Sequence, residues 1–293
     1  MAAPLKVGLN ICWFKPEVQI EAAQVAEGLN FDSIWVGEHV GLPKTDRWWK
    51  NYPVVVAKGD QGSAADVGFT PDTDFLDPMV VVGALASATK KVRLGIGIYM
   101  LALRDAILAA RMIATADVLS GGRLDLAVGL GWSEEEYQFT GNDYKTRGRR
   151  TDEIIRAIRV LFEEESPEFH GEFFNFGPLG FQPKPIQKPL PIFIGGGTPP
   201  AEKRAGRLGN GWHGPETSIP RIRQHLAENG RADEPFRFSN ITFGWITRDS
   251  LQAMAEAGAD QAVVTPWADK KAGEVGREGF ADLERYAKEV GLI

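Results

Sequence analysis

The 293-residue sequence predicts an α/β fold, a closed (β/α)8 TIM barrel forming one domain. Three observations carry that prediction. Strand-like and helix-like segments alternate from end to end. Several strands are continuous apolar runs, as expected when both faces of a parallel sheet are covered. Eight βα units fit into fewer than 300 residues, which favours a closed barrel over an open doubly wound sheet.

The strands read, in order, as KVGLNI, SIWVGEH, VRLGIGIYM, RLDLAVGLGW, LPIFIGG, the weak GNGWHGP, RFSNITFGW and QAVVTPW. Helical patterns lie between them: PEVQIEAAQVAEGL, DPMVVVGALASAT, AILAARMIATADVLS, RRTDEIIRAIRVLFEEE, PPAEKRAGRL, PRIRQHLAEN, SLQAMAEAG and FADLERYAKEV. Asp77-Pro78 reads as an N-cap followed by a first-turn proline, and Ser120-Gly121-Gly122 as a helix stop. Two insertions interrupt the alternation. Residues 41–75 form a long loop carrying Trp48, Trp49, Tyr52, Phe69 and Phe75, which reads as a lid or as disorder. Residues 166–190 read as a hairpin with a proline-rich exit.

Composition narrows the function. With 43% apolar and 25% charged residues the chain can bury a large core. A net charge of −6 leaves no basic excess for a nucleic-acid partner. The lone Cys12 excludes an internal disulfide and a cysteine-rich metal site, and reads as a small buried residue of the first strand. No His/Asp/Glu cluster has metal-ligand spacing, and no Ser or Cys sits in a nucleophile elbow. The N-terminus lacks a signal-peptide pattern and no apolar run is long enough for a bilayer, so a cytoplasmic protein without a membrane partner is expected.

Glycines mark the chemistry. Gly195-Gly196-Gly197 ends the fifth strand just before a helix start, where converging N–H groups and the helix dipole suit an anion, or where a tight βα turn is made. Residues two apart share a strand face. Gly95 with Gly97, Gly129 with Gly131, and Gly37 with His39 do so. Either these faces leave a hollow of bare backbone that admits a large flat ring, or they are small partners in layered barrel packing.

The run ILAARMIATADVLSGGRLDLAVGLGWSEEEYQFTGNDYKTRGRRTDEIIRAIRVL resembles the luciferase-like monooxygenase superfamily, in its coenzyme F420-dependent branch. AEGLNFDSIWVGEH, FHGEFFNFGPLGFQPKPIQKPLPIFIGGG and AGRLGNGWH extend the resemblance over residues 5–215. It implies a barrel with insertions, and a deazaflavin or flavin across its mouth with the phosphate tail on backbone N–H groups around Gly195, Gly196 and Gly197. It also implies a non-prolyl cis peptide behind the ring, matching Gly97–Ile98 here, with Gly129, Gly131 and Trp132 beside it. A homodimer is implied as well. The expected activity is hydride transfer between coenzyme F420 and a small, apolar organic substrate. The alternatives are an FMN-dependent monooxygenase served by a reductase partner and a non-catalytic flavin or deazaflavin binder.

His39 is the expected catalytic residue, because an imidazole at a strand end can give or take the proton that accompanies hydride. Glu38 points the other way by parity and is expected to pair with a rim Lys or Arg. Trp48, Trp49 and His213 are the expected substrate contacts, with Trp212 as a wall. His170 and His225 read as solvated. Arg147, Arg149 and Arg150 either reach a phosphate or acidic tail, or pair with Asp152 and Glu153; Arg147 is the one assigned to the cofactor. Trp132 replaces the acidic residue of related sugar-phosphate and alcohol dehydrogenases, and Val40, Gly41, Leu42 and Pro43 replace their Trp after the His. Those two activities are therefore not expected.

Overall fold

Aliphatic and β-branched runs form the eight strands of the barrel in the computed structural model, which describes residues 5–44, 53–55, 61–63, 70–267 and 270–293. They are β1 (Lys6–Asn10), β2 (Ser33–Val36), β3 (Arg93–Tyr99), β4 (Leu124–Val128), β5 (Ile192–Gly195), β6 (Gly211–His213), β7 (Arg237–Ile241) and β8 (Gln261–Val264). Each pairs in parallel with its sequence neighbours, and β1 pairs with β8 to close the sheet. The α-helices of the described residues are α1 (Gln19–Gly28), α2 (Pro78–Ala88), α3 (Ala106–Leu119), α4 (Glu134–Phe139), α5 (Arg147–Glu163), α6 (Pro199–Leu208), α7 (Ile219–Glu228), α8 (Arg248–Glu256) and α9 (Gly279–Val290). None is long and apolar enough to cross a membrane.

The capping signals work as their chemistry requires. Asp77 Oδ1 accepts from the N–H groups of Met79 at 2.9 Å and Val80 at 3.1 Å, with Pro78 in the first turn of α2. Gly121 and Gly122 take φ of 67° and 80° after α3, a region that disfavours side chains. In the second insertion Phe169–His170 pairs antiparallel with Asn175–Phe176. In the first, Pro53–Val55 pairs with Gln61–Ser63, so this segment holds a hairpin that the sequence does not announce. Trp48, Trp49, Tyr52 and Phe69 lie outside the described residues.

Two cores result from strand alternation. Ile34, Leu94, Leu126, Ile192 and Ile194 belong to the outer core, between sheet and helices. Trp35, Ala127, Phe193 and Val263 form the inner one, with Ile98 against it. At the foot of the barrel the buried Asp125 carboxylate takes two hydrogen bonds from Arg93, at 2.6 and 2.7 Å, and one from Arg237 at 2.5 Å. Above it, glycines make room for the large rings. A Cβ on Gly95 would stand 2.2 Å from the Trp35 indole, one on Gly211 2.4 Å from Phe193, and one on Gly97 2.5 Å from His213 Nε2. Thus Gly95 belongs to layered packing and not to a bare hollow: Trp35, on the neighbouring strand, fills the space it vacates.

His213 stacks face to face on Trp35, with ring centroids 4.3 Å apart and planes 6° from parallel. Burial lowers its pKa to about 4, against a smaller raising effect of Asp125. The unfolded chain therefore binds a proton here below about pH 6.5, but the folded chain only below about pH 4. Between those values the unfolded state holds more protons, so stability falls as pH falls, by roughly 3 kcal/mol across the window. Urea unfolding at pH 7.5 and pH 4.5 should show that His213→Gln loses about 2–3 kcal/mol less on acidification than the wild type. Equal acid losses would contradict a neutral buried imidazole.

Candidate functional site

The floor of the barrel mouth is made at the end of β3. The Gly97–Ile98 peptide is cis, and both residues remain partly exposed although their neighbours are buried. The ladder to β4 shifts register between Gly97 and Tyr99. Ile98 lies over two glycines. A Cβ on Gly129 would fall 1.9 Å from Ile98 Cδ1, and one on Gly195 2.3 Å from Ile98 Cγ2. Bare backbone just past β4 and at the end of β5 thus lets a branched side chain lie down into the sheet. His213 supports Gly97 from below and is only 3% exposed, so it is part of the floor's foundation. Trp212 points away from the interior into the outer core, its indole N–H donating to the Pro215 carbonyl at 3.2 Å.

One wall is built around His39, which follows β2. Its Nδ1 lies 3.2 Å from both carboxylate oxygens of Glu136, and the Val40 N–H donates to Glu136 Oε1 at 2.8 Å. The Glu136 side chain is 1% exposed and that of His39 9%. A carboxylate accepts only, so Nδ1 carries the hydrogen that faces Glu136. Phe75 and Trp132 meet the imidazole edge-on, at centroid distances of 4.8 and 5.3 Å. Glu136 carries no sequence signal that joins it to His39. Its local signal was Ser-Glu-Glu-Glu at 133–136, a helix start in which Ser133 Oγ accepts from the Glu136 N–H at 3.4 Å. In the capping pattern the glutamate turns back to its own cap; here it crosses to His39 and Val40 in the segment after β2 instead.

Glu38 turns away from His39, as strand parity predicts. It is 6% exposed, accepts from the Met100 N–H at 2.7 Å and pairs with Arg104 through both carboxylate oxygens. Burial pushes its pKa up, an effect opposed by the Arg104 guanidinium and the Met100 N–H. Arg104 also lies 4.0 Å over the Tyr99 ring. This pair ties the end of β2 to the segment that follows the cis peptide. Cys12 lies in the turn just past β1 and not within the strand; its Sγ accepts from the Gly37 N–H at 2.9 Å, and burial raises its pKa to about 11.

The rim carries the remaining sequence-predicted residues. Gly196, with φ of 140°, Gly197 and Thr198 are exposed where α6 begins, and Thr198 makes no side-chain cap. Gly131 takes φ of 69°, and a Cβ there would meet Met100 Sδ at 2.4 Å. Arg147 lies 3.6 Å over the Tyr144 ring and donates to the Tyr144 carbonyl at 2.8 Å; Tyr144 in turn donates to the Trp132 carbonyl at 3.3 Å. Among the described residues, Arg147 Nε is buried without a partner. Arg149 and Arg150 do not pair with Asp152 and Glu153. Arg149 pairs with Glu172, and Arg150 donates to the carbonyls of Ala102 and Arg104. Asp152 pairs instead with Arg204 and Arg207, while Glu153 accepts three N–H groups of the 172–174 hairpin turn. His170 is exposed and paired with Glu168; the His225 side chain is largely covered and pairs with Glu228. No metal-binding cluster of His, Cys, Asp and Glu occurs among the described residues.

Comparison with known proteins gives this geometry a lineage. An uncharacterised protein of Mycobacterium tuberculosis is 32% identical over 194 residues, 65% of each chain. The FMNH2-dependent dimethylsulfone monooxygenase of Pseudomonas putida is 32% identical over 167 residues, 53% of this chain and 46% of that one. The F420-dependent glucose-6-phosphate dehydrogenase of Amycolatopsis mediterranei is 29% identical over 214 residues, 71% of this chain and 56% of that one. The alignments thus span under two thirds of each of these relatives' lengths. Among solved structures, an F420-dependent secondary alcohol dehydrogenase superposes with a TM-score of 0.76 at 17% identity, covering 99% of both chains. The coenzyme F420-dependent tetrahydromethanopterin reductase of Methanopyrus kandleri superposes with a TM-score of 0.71 at 17% identity, covering 98% of this chain and 99% of that one. The family model of the luciferase-like monooxygenases matches residues 7–290, and the chain belongs to that family.

Proposed function

We propose that the chain is an oxidoreductase that binds coenzyme F420 across the barrel mouth and passes hydride between it and a small, apolar organic substrate. The observation that carries this reading is the partly exposed Gly97–Ile98 floor, level because Ile98 lies into Gly129 and Gly195, beside an imidazole held by a buried carboxylate. A flat tricyclic ring fits such a floor. The amides of Gly197 and Thr198 at the exposed start of α6 fit a phosphate, the Gly196 N–H being taken by the His213 carbonyl, and Arg147, stacked on Tyr144, fits an acidic tail. The 29% identical F420-dependent relative favours the deazaflavin.

Coenzyme F420, when bound, supplies a hydride donor or acceptor. The protein's share is positional and protonic. Glu136 fixes the His39 ring and its tautomer, and His39 Nε2 gives or takes the proton that balances hydride transfer at the substrate. Phe75 and Trp132 wall the site with aromatic edges and exclude water from it, which suits an apolar substrate. Trp48 and Trp49, in the insertion that leads to Phe75, are proposed as further substrate contacts. A second reading, an FMN-dependent monooxygenase, is favoured by the 32% identical dimethylsulfone enzyme.

A homodimer is proposed through α2 and α3, which pack together and expose Val80 at 70%, Leu108 at 66% and Leu119 at 60%.

Titration of the protein with coenzyme F420 and with FMN, followed by absorbance and fluorescence, tests the cofactor. Tighter binding of F420 and turnover of an enone panel with reduced F420 are expected; FMN binding alone supports the second reading, and binding without turnover a non-catalytic binder. In the active protein, His39→Gln should lower kcat/KM by on the order of 10²-fold or more, and Glu136→Gln by a smaller factor, with cofactor affinity retained. Light scattering should show a dimer that Val80→Glu/Leu108→Glu converts to a monomer; a wild-type monomer would contradict the proposed interface.

A further inference from the structure

A chain of hydrogen bonds crosses the barrel interior from its foot to the floor of the mouth. At the foot, Asp32 precedes β2 with its side chain 26% exposed and 3.3 Å from the Lys6 ammonium. Gln261 Nε2 donates to Asp32 Oδ2 at 3.2 Å and to Ser33 Oγ at 2.8 Å. Ser33 Oγ also accepts from the Trp35 indole N–H at 2.8 Å. At its other end the Gln261 amide oxygen accepts from Ser239 Oγ at 3.0 Å, and Ser239 Oγ lies 3.1 Å from His213 Nδ1. Ser33, Ser239, Gln261 and His213 are all buried.

The direction of this chain follows from what each group can do. The Asp32 carboxylate accepts only, so the Gln261 amide turns its nitrogen toward Asp32 and its oxygen toward Ser239. The Ser239 hydroxyl hydrogen then goes to Gln261, and its oxygen takes the hydrogen of His213 Nδ1. His213 Nε2 is left as a lone pair aimed at Gly97, where an added Cβ would lie 2.5 Å away. With the Gln261 amide reversed, every bond but one survives. Ser33 donates to Gln261, Gln261 to Ser239 and Ser239 to His213 Nδ1, and an N–H is driven against Gly97. The bond that fails is the one to Asp32, where two oxygens would face each other. Ser33 serves either arrangement, because the indole N–H can donate to it in both.

We propose that Asp32 is a positioning residue that fixes the Nδ1–H tautomer of His213 through Gln261 and Ser239, and so sets which end of the imidazole dipole lies beneath the Gly97–Ile98 floor. The group that sets this polarity lies at the opposite end of the barrel from the site.

Long-range 1H–15N correlation spectra of the 15N-histidine-labelled free protein read the tautomer, with the His213 signals assigned by their loss in His213→Gln. The wild type should show a single Nδ1–H form. Asp32→Ala should show the Nε2–H form or a mixture of the two. Lys6→Met removes the neighbouring charge but not the acceptor, and should leave the tautomer unchanged. Gln261→Leu interrupts the chain midway and should release the tautomer as Asp32→Ala does; it also stands in if Asp32→Ala fails to fold, circular dichroism reporting the fold. An Nε2–H tautomer in the wild type, or an unaltered tautomer in folded Asp32 and Gln261 variants, would overturn the proposal. The readout needs no cofactor, so it stands or falls apart from the proposed activity.

Discussion

The interior of a closed eight-stranded sheet has room for few side chains, and the filling of that room is the constraint on which this molecule depends. Trp35 and Phe193 occupy the middle of the barrel, and they fit because Gly95 and Gly211 carry no side chain. Addition of a methyl group at either position would press on an indole or phenyl ring that has nowhere to move, since the interior is packed as densely as an organic solid. The same exchange of small for large is repeated one layer up. His213 stands against Gly97, and Ile98 lies into Gly129 and Gly195. The middle layer therefore closes the barrel, and the upper one leaves Gly97 and Ile98 as its partly exposed surface.

Bonds that reach between strands are arranged around that surface. Glu38 and Arg104 join the end of β2 to the chain beyond β3. Glu136, from the short helix after β4, returns to hold His39 after β2. The proposed proton-exchanging group is thus braced from the βα loop after β4, beside a tie between the segments that follow β2 and β3. Buried polar groups of this kind are stable only when each donor and acceptor is matched. The Glu136 carboxylate meets that condition with the His39 ring and the Val40 N–H.

The sequence makes the barrel legible because its evidence is local: apolar runs, period-two glycines, a capping aspartate and glycine stops all lie within a few residues of the structure they specify. Asp77 and Gly121 behave as read for that reason. What the sequence conceals is who sits across the barrel. The spacing of Gly95 and Gly97 marks an inward face, but only the closed sheet shows that Trp35 and His213 fill it. Glu136 and His39 are 97 residues apart, so no local pattern joins them. Asp152 and Glu153 look like the partners of Arg149 and Arg150 in the sequence, whereas the fold pairs these arginines with Glu172 and with the loop after β3. The position of Ile98 was visible in the resemblance; its reason, two bare positions on neighbouring strands, was not.

The proposed ring site depends on how Ile98 lies at the Gly97–Ile98 floor, and the pocket of Gly129 and Gly195 holds it there. The most direct measurement is the affinity of Gly129→Ala for coenzyme F420 and FMN, taken beside its thermal unfolding midpoint. A Cβ at this position would overlap Ile98 Cδ1, at 1.9 Å, and lift the side chain into the mouth. The account predicts a folded protein in which affinity for either ring has fallen by well over tenfold. A folded variant that binds as the wild type does would contradict it.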